Sequence, residues 1–201
     1  MITVYLVRHG DIGLGEGKKY IGIQDHPLSE QGREQALALK EFFRSIPLSK
    51  IYCSNLKRSR ETAGIIAEVH NIPLIQIPEL QEINMGEWEG KPFREIKERY
   101  PEEYRLRGED ILNYRPPGGE SFRDCAQRVI PVWHKILEAG EGNFLVVGHA
   151  GVNRVILCHV LGWPLQELFQ LKQSYGCINI LRQDANGQWD KDKIIINKVP
   201  D

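Results

Sequence analysis

Two unbroken apolar runs constrain this chain most, because each ends in a histidine. Thr3-Val4-Tyr5-Leu6-Val7 leads into Arg8-His9-Gly10, and Asn143-Phe144-Leu145-Val146-Val147 leads into Gly148-His149-Ala150-Gly151. Runs of β-branched and aliphatic residues without polar alternation read as strands buried on both faces of a parallel sheet. Such sheets bind ligands in the crevice beyond the carboxyl ends of their strands. Both imidazoles should open into that crevice, and one small site results if the two strands are neighbours. Taken singly, each imidazole has an ordinary alternative as a hydrogen-bonded structural residue. Arg8 and Gly10 shift the balance for His9, since they make a cationic turn that a small anion can approach closely.

A third segment has the same layout. Lys50-Ile51-Tyr52-Cys53 is a short apolar run, and Ser54-Asn55 offers N-cap chemistry for a helix whose apolar positions Ala63, Ile65, Ile66 and Val69 lead to the turn Asn71-Ile72-Pro73. Its first turns carry Lys57, Arg58 and Arg60. Cations at a helix N-terminus oppose the macrodipole, so they belong either to a solvated face or beside a bound anion.

Around these segments strands and helices alternate, which predicts an α/β fold: a three-layer sandwich with a mostly parallel central sheet and helices on both faces. One helix is expected from Ser29 to Ser45, with Ala36, Leu37, Leu39, Phe42 and Phe43 facing inward. Another runs from Ser121 to Leu137, where Pro131 kinks it or removes a hydrogen bond, and a third from Val152 to Leu161. Cys177 to Leu181 and Lys193 to Asn197 flank Asp184-Ala185-Asn186-Gly187 and read as a hairpin. Asn84 to Gly118 interrupts the alternation with Trp88, short helical pieces, dense charge of both signs and a Pro-Gly turn. With no repeat and no linker, residues 1–201 read as one domain.

Composition narrows the function classes. The 201 residues are 41% hydrophobic, enough to bury a full core, and the formal net charge of −1 argues against a nucleic-acid partner. No apolar stretch reaches membrane-spanning length, and the N-terminus enters a strand without a basic leader and apolar h-region. A cytoplasmic protein with no membrane partner is the expectation. Cys53, Cys125, Cys158 and Cys177 lack metal-ligand spacing and read as core residues or free thiols in a reducing compartment. No metal site is expected, and nothing in the sequence bears on oligomeric state.

Read in order, the motifs are Arg8-His9-Gly10; Gly22 with Asp25-His26-Pro27-Leu28-Ser29 and Gly32; Ser54-Asn55-Leu56-Lys57-Arg58 with Glu61-Thr62-Ala63; Leu80-Gln81-Glu82 with Gly86-Glu87-Trp88-Glu89-Gly90; Gly119-Glu120-Ser121; and Gly148-His149-Ala150-Gly151. This set resembles the histidine phosphatase superfamily from Thr3 to about Asn179. It is similar to the phosphatase branch, including α-ribazole phosphatases and broad-specificity phosphomonoesterases, and to the cofactor-dependent phosphoglycerate mutases. The resemblance implies a metal-independent phosphomonoesterase, without a cofactor, that hydrolyses a small phosphorylated metabolite through a phosphohistidine. α-Ribazole 5′-phosphate is one substrate it suggests. Residues 84–118 would form a small helical lid insertion shaping the pocket.

The resemblance also implies roles. His9 would be the nucleophile, Arg8, Arg58 and His149 would hold the phosphoryl oxygens, and Glu82 would protonate the leaving alkoxide. Ile21, Gly22 and Ala150 would contact the substrate. The chemistry suits these residue types, since phosphoryl transfer is mostly positioning and charge stabilisation, which guanidiniums and a second imidazole supply. A neutral imidazole is a usable nucleophile near pH 7. For Glu82, a phosphate dianion would favour the protonated acid while Arg8 and Arg58 would favour the carboxylate, so its state stays open at this level.

One departure stands out. The resemblance calls for a hydroxyl residue and an asparagine shortly after the first histidine, whereas this chain has Asp11-Ile12-Gly13-Leu14-Gly15. Either backbone N–H groups of Leu14-Gly15-Glu16-Gly17 replace the lost amide or its phosphate contact is not made at all. The same stretch imitates a nucleotide loop, but a P-loop needs glycine at 12 and Ser or Thr at 19, where Ile12 and Lys19 stand. Two other functions use the same residues. A mutase must retain its phosphorylated intermediate with an extra basic insertion, for which this chain is short, and a non-catalytic phosphate-recognition module needs the cations but not a nucleophile paired with a proton donor.

Overall fold

The computed structural model describes residues 1–15 and 17–200. Strands β1 (Ile2–Arg8), β2 (Lys50–Cys53), β3 (Leu74–Gln76), β4 (Gly142–Gly148), β5 (Ile178–Gln183) and β6 (Ile195–Lys198) form one sheet in the order β3-β2-β4-β1-β5-β6. The first four run parallel; β5 is antiparallel to β1, and β6 to β5. The register sets Arg8 opposite Gly148, so His9 and His149 leave adjacent strands at the same level of the same edge.

Successive residues of each strand serve two cores, which is why the runs are apolar throughout. On one face Tyr5, Val7, Ile51, Leu145 and Val147 pack against Leu39 and Phe43 of α1 (Glu30–Phe43) and Ala63 and Ile66 of α2 (Lys57–Ala67). On the other, Val4, Leu6, Phe144 and Val146 share a cluster with Val129 and Trp133 and with Val152 and Ile156, from the last two helices. The insertion carries α3 (Phe93–Arg99) and α4 (Pro101–Glu109), and those last two helices are α5 (Phe122–Glu138) and α6 (Ala150–Leu161). Fully burying one such aliphatic side chain contributes roughly 1.5–3 kcal/mol, so the two faces hold the strand ends firmly.

Several local expectations are corrected. Ser29 caps α1 by accepting from Gly32 N–H at 3.0 Å, yet Leu37 is half exposed: the buried stripe runs Gly32, Ala36, Leu39, Phe43, and Leu37 lies one residue off it. The cap residue of α2 is Leu56, not Ser54 or Asn55. The Asp25 carboxylate instead accepts the Lys57 N–H at 2.6 Å, and the helix ends at Ala67 before Val69. α5 passes unbroken through Pro131, with Pro131 and Gln127 both exposed, so the carbonyl denied its usual partner lies on the solvent side.

The segment from 84 to 118 is tied down by aromatics. Met85, Trp88, Ile96 and Leu112 join the core beneath α5 and α6, and Tyr20 stacks on Phe93 at 4.0 Å with Trp88 at 5.0 Å. Backbone hydrogen bonds from Tyr20 N–H to the Lys91 carbonyl and from Phe93 N–H to the Lys18 carbonyl fasten it to the loop after Gly10. All four cysteines are buried and unpaired, and burial pushes the thiols of Cys53, Cys158 and Cys177 up to about 11. Among the described residues no helix is long and apolar enough to cross a membrane, and no three His, Cys, Asp or Glu side chains are grouped as a metal ion would require.

Candidate active site

The parallel pairing of β1 with β4 delivers the two histidines side by side. His9 N–H donates to the Gly148 carbonyl at 3.2 Å, and the ring centroids stand 5.0 Å apart. His9 Nδ1 lies 2.7 Å from the Gly10 carbonyl, which can only accept; Nδ1 therefore carries the hydrogen and Nε2 keeps its lone pair. Arg58 Nε donates to that lone pair at 3.2 Å. Burial, then the Arg58 and Arg8 guanidiniums, hold the His9 pKa well below the usual imidazole value, so the ring is neutral at pH 7.

Arg58 is itself only 1% exposed. Its two terminal nitrogens donate to the Gln24 and Gly22 carbonyls, each at 2.6 Å, which aims the Nε–H at His9 and leaves one N–H on each terminal nitrogen. The loop bearing those carbonyls is stapled by Glu89, whose carboxylate accepts from the N–H groups of Gly22, Ile23 and Met85 at 2.9–3.0 Å. Glycine is required at 22, since a Cβ there would meet the Ile83 carbonyl oxygen at 2.2 Å. Thr62 links the first turn to α2: its hydroxyl accepts from Gly10 N–H and donates to the Arg58 carbonyl.

His149 is fully buried at the N-cap of α6. Its Nε2 pairs with Ser54 Oγ at 2.7 Å, and its Nδ1 has no partner among the described residues. Burial, then Arg58, His9 and Arg8, push its pKa well down. Glu82 sits against the same helix. Its carboxylate accepts from Gly151 N–H at 3.0 Å, Val152 N–H at 3.3 Å and its own neighbour Ile83 N–H at 3.0 Å. That approach needs Gly151: a Cβ there would stand 2.5 Å from Glu82 Oε1.

Arg8 donates to the Gln173 carbonyl at 2.6 Å, and its guanidinium carbon lies 3.7 Å from the centroid of the Tyr175 ring. Tyr175 in turn stands 5.6 Å from the His9 ring. Together with Glu82, Ile21 and Ala150, both residues line a cavity of about 930 Å³. His9, Arg58 and His149 are not among its lining residues, and His9 adjoins it through the Tyr175 ring. Gly22 does not line it either, and its part is the carbonyl that holds Arg58. Gly13, Leu14, Gly15 and Gly17 of the departing loop do, while Glu16 lies outside the described residues.

Four residues of this region were not singled out as site residues from sequence: Ser54, Tyr175, Arg107 and Arg154. Ser54 offers only helix-cap chemistry at the level of sequence. Arg154 carries a usable signal as the one arginine or lysine in the largely apolar α6, whereas Arg107 is lost among the charges of the insertion. Both arginines line the cavity, over Phe169 and Tyr20 respectively, and neither forms a salt bridge among the described residues. With Arg8, Lys18 and Lys19 they face only the carboxylates of Asp11 and Glu82 among the described residues of the cavity wall.

Residues 4–194 match the family described as histidine phosphatase superfamily (branch 1). The chain is 31% identical over 177 residues to an adenosylcobalamin/alpha-ribazole phosphatase of Salmonella typhimurium, covering 88% of each. It is 41% identical over 172 residues to a 6-phosphofructo-2-kinase/fructose-2,6-bisphosphatase of Gallus gallus, covering 85% of this chain but spanning only 35% of that relative. Among solved structures, the alpha-ribazole phosphatase of Shigella flexneri superposes with a TM-score of 0.87 at 26% identity, covering 98% of this chain and 96% of that one. YhfR of Bacillus stearothermophilus does so at 0.85 and 30%, with the same coverage.

Proposed function

The chain belongs to the histidine phosphatase superfamily, and from that premise we propose that it is a phosphomonoesterase working through a phosphohistidine on His9. The observation that carries this reading is the tautomer of His9: the Gly10 carbonyl holds the hydrogen on Nδ1 and leaves a neutral Nε2 lone pair among cations. Nε2 attacks phosphorus in line, the ester P–O bond breaks, and Glu82 passes a proton to the departing alkoxide. Water then attacks the phosphohistidine and gives a proton back to the Glu82 carboxylate, the P–N bond breaks, the His9 lone pair is restored and inorganic phosphate leaves. Arg8, Arg58 and His149 stabilise charge on the equatorial oxygens in both steps. Brief exposure to a labelled aryl phosphate followed by alkaline quench is expected to trap acid-labile label on His9, absent in His9→Ala. Label on a serine or aspartate would overturn the mechanism.

Arg107 and Arg154 favour a substrate with a second anionic group beyond the transferred phosphoryl. Both guanidiniums line one cavity without a salt bridge among the described residues, and an anionic group bound there would supply the partner that each lacks. A sugar bisphosphate, as in the name of the bisphosphatase relatives, meets this requirement; α-ribazole 5′-phosphate, suggested by the phosphatase relatives, offers one phosphate only. Comparing kcat/KM for a sugar bisphosphate, its monophosphate and α-ribazole 5′-phosphate tests the point. The bisphosphate should lead, and its advantage should vanish in Arg107→Ala and Arg154→Ala.

A further inference from the structure

We propose that Ser54 is a positioning residue that fixes the tautomer of His149, so that this imidazole presents Nδ1–H to the transferring phosphoryl group. The inference rests on the phosphoryl-transfer reading above and concerns the same site. It follows from where the hydrogens can go. Ser54 is fully buried at the end of β2, and its backbone is locked: Ser54 N–H donates to Ser59 Oγ at 3.0 Å, and the Ser59 hydroxyl donates to the Val147 carbonyl on β4 at 2.7 Å. A serine hydroxyl has one hydrogen and two lone pairs. Leu56 N–H donates into Ser54 Oγ at 3.3 Å, and the acceptor within reach of the hydroxyl hydrogen among the described residues is His149 Nε2, at 2.7 Å.

The two tautomers of a neutral His149 differ sharply in what they leave unmade. With the hydrogen on Nε2, the Ser54 hydroxyl hydrogen is buried without an acceptor, and a bare Nδ1 lone pair would face the anionic oxygens. With Ser54 donating to Nε2, one group is left over, the buried Nδ1–H. An orphaned buried donor is costly unless a ligand takes it, and it stands on a ring 5.0 Å from that of the nucleophile. An anionic phosphoryl oxygen satisfies it. Because burial and the neighbouring arginines keep the ring neutral, it has one N–H to offer, and Ser54 decides on which nitrogen.

The test is the ring itself, read in the intact protein labelled with 15N-histidine. Long-range 15N–1H correlations, with His149 assigned by loss of its signals in His149→Gln, are expected to show hydrogen on Nδ1 and a bare Nε2. Ser54→Ala should move His149 toward the Nε2–H form and weaken inhibition by vanadate about tenfold, and Ser54→Thr, which keeps the hydroxyl, should restore both. A wild-type Nε2–H tautomer, or a spectrum unmoved in Ser54→Ala, overturns the proposal; the wild-type spectrum decides even if Ser54→Ala does not fold. Failure of the phosphatase reading shows differently, as absent turnover of aryl phosphates with the tautomer intact.

Discussion

Arg58 Nε donates to His9 Nε2 at 3.2 Å, so the guanidinium proposed to hold the phosphoryl group already occupies the lone pair proposed to attack it. The contact keeps the nucleophile aimed and unprotonated, and an incoming phosphorus must take its place. The other two nitrogens of Arg58 are held by the Gly22 and Gln24 carbonyls, so the guanidinium is anchored apart from that one contact.

The first prediction concerns acid stability. His9 and His149 titrate well below the usual imidazole value in the folded protein, whereas in the unfolded chain each takes a proton near pH 6.5. Below that pH the unfolded state binds more protons, so stability must fall as pH falls, and it is insensitive to these groups above pH 6.5. The slope approaches about 1.4 kcal/mol per pH unit for each histidine. Urea unfolding at pH 7.5, 6.5 and 5.5 measures it, and His9→Gln should flatten the curve. Equal stability at pH 6.5 and 5.5 would mean that the rings protonate in place.

Glu82→Gln separates chemistry from structure. Its amide would turn an NH₂ toward the N–H groups at the head of α6, costing about 1–3 kcal/mol of stability. Turnover should respond by leaving group: esters of acidic phenols retain most activity, while alkyl phosphates, which need a proton, lose it. Parallel losses across a series of leaving groups would remove the acid role.

Tyr175 is expected to act through its ring. Stacked on Arg8 at 3.7 Å, it fixes the guanidinium plane, an interaction of roughly 1–2 kcal/mol where desolvated. Tyr175→Leu should lower kcat/KM about 5- to 30-fold, with Tyr175→Phe close to wild type. A defect in Tyr175→Phe as large as in Tyr175→Leu would assign the role to the hydroxyl.

Gly15 tests the altered loop. Its φ of +71° lies in the left-handed region, which asparagine tolerates better than alanine, and no atom lies within 4 Å of a Cβ placed there. Gly15→Asn should bind inorganic phosphate more tightly, seen as a lower product-inhibition constant, and Gly15→Ala should not. Equal weakening in both would show that the glycine is needed for its dihedral angles alone.

Much of this protein was written locally. The apolar runs before His9 and His149 determined buried parallel strands, because only a strand covered on both faces is apolar at every position. Ser29 announced its helix through cap chemistry, and the motifs marked His9, Arg58 and Glu82. What the sequence could not determine was anything that depends on which strands become neighbours. The pairing of β1 with β4 brings His9 beside His149, and that of β2 with β4 carries Ser54 from an expected helix cap to the edge of an imidazole. Leu37 belongs to the same lesson in reverse, since its exposure depends on where α1 meets the sheet. Arg107 and Arg154 line one cavity although they lie on α4 and α6, far apart in the chain, and no local pattern announces that. Hydrophobic periodicity is a property of one segment; a site is a property of several, and long-range packing alone assembles it.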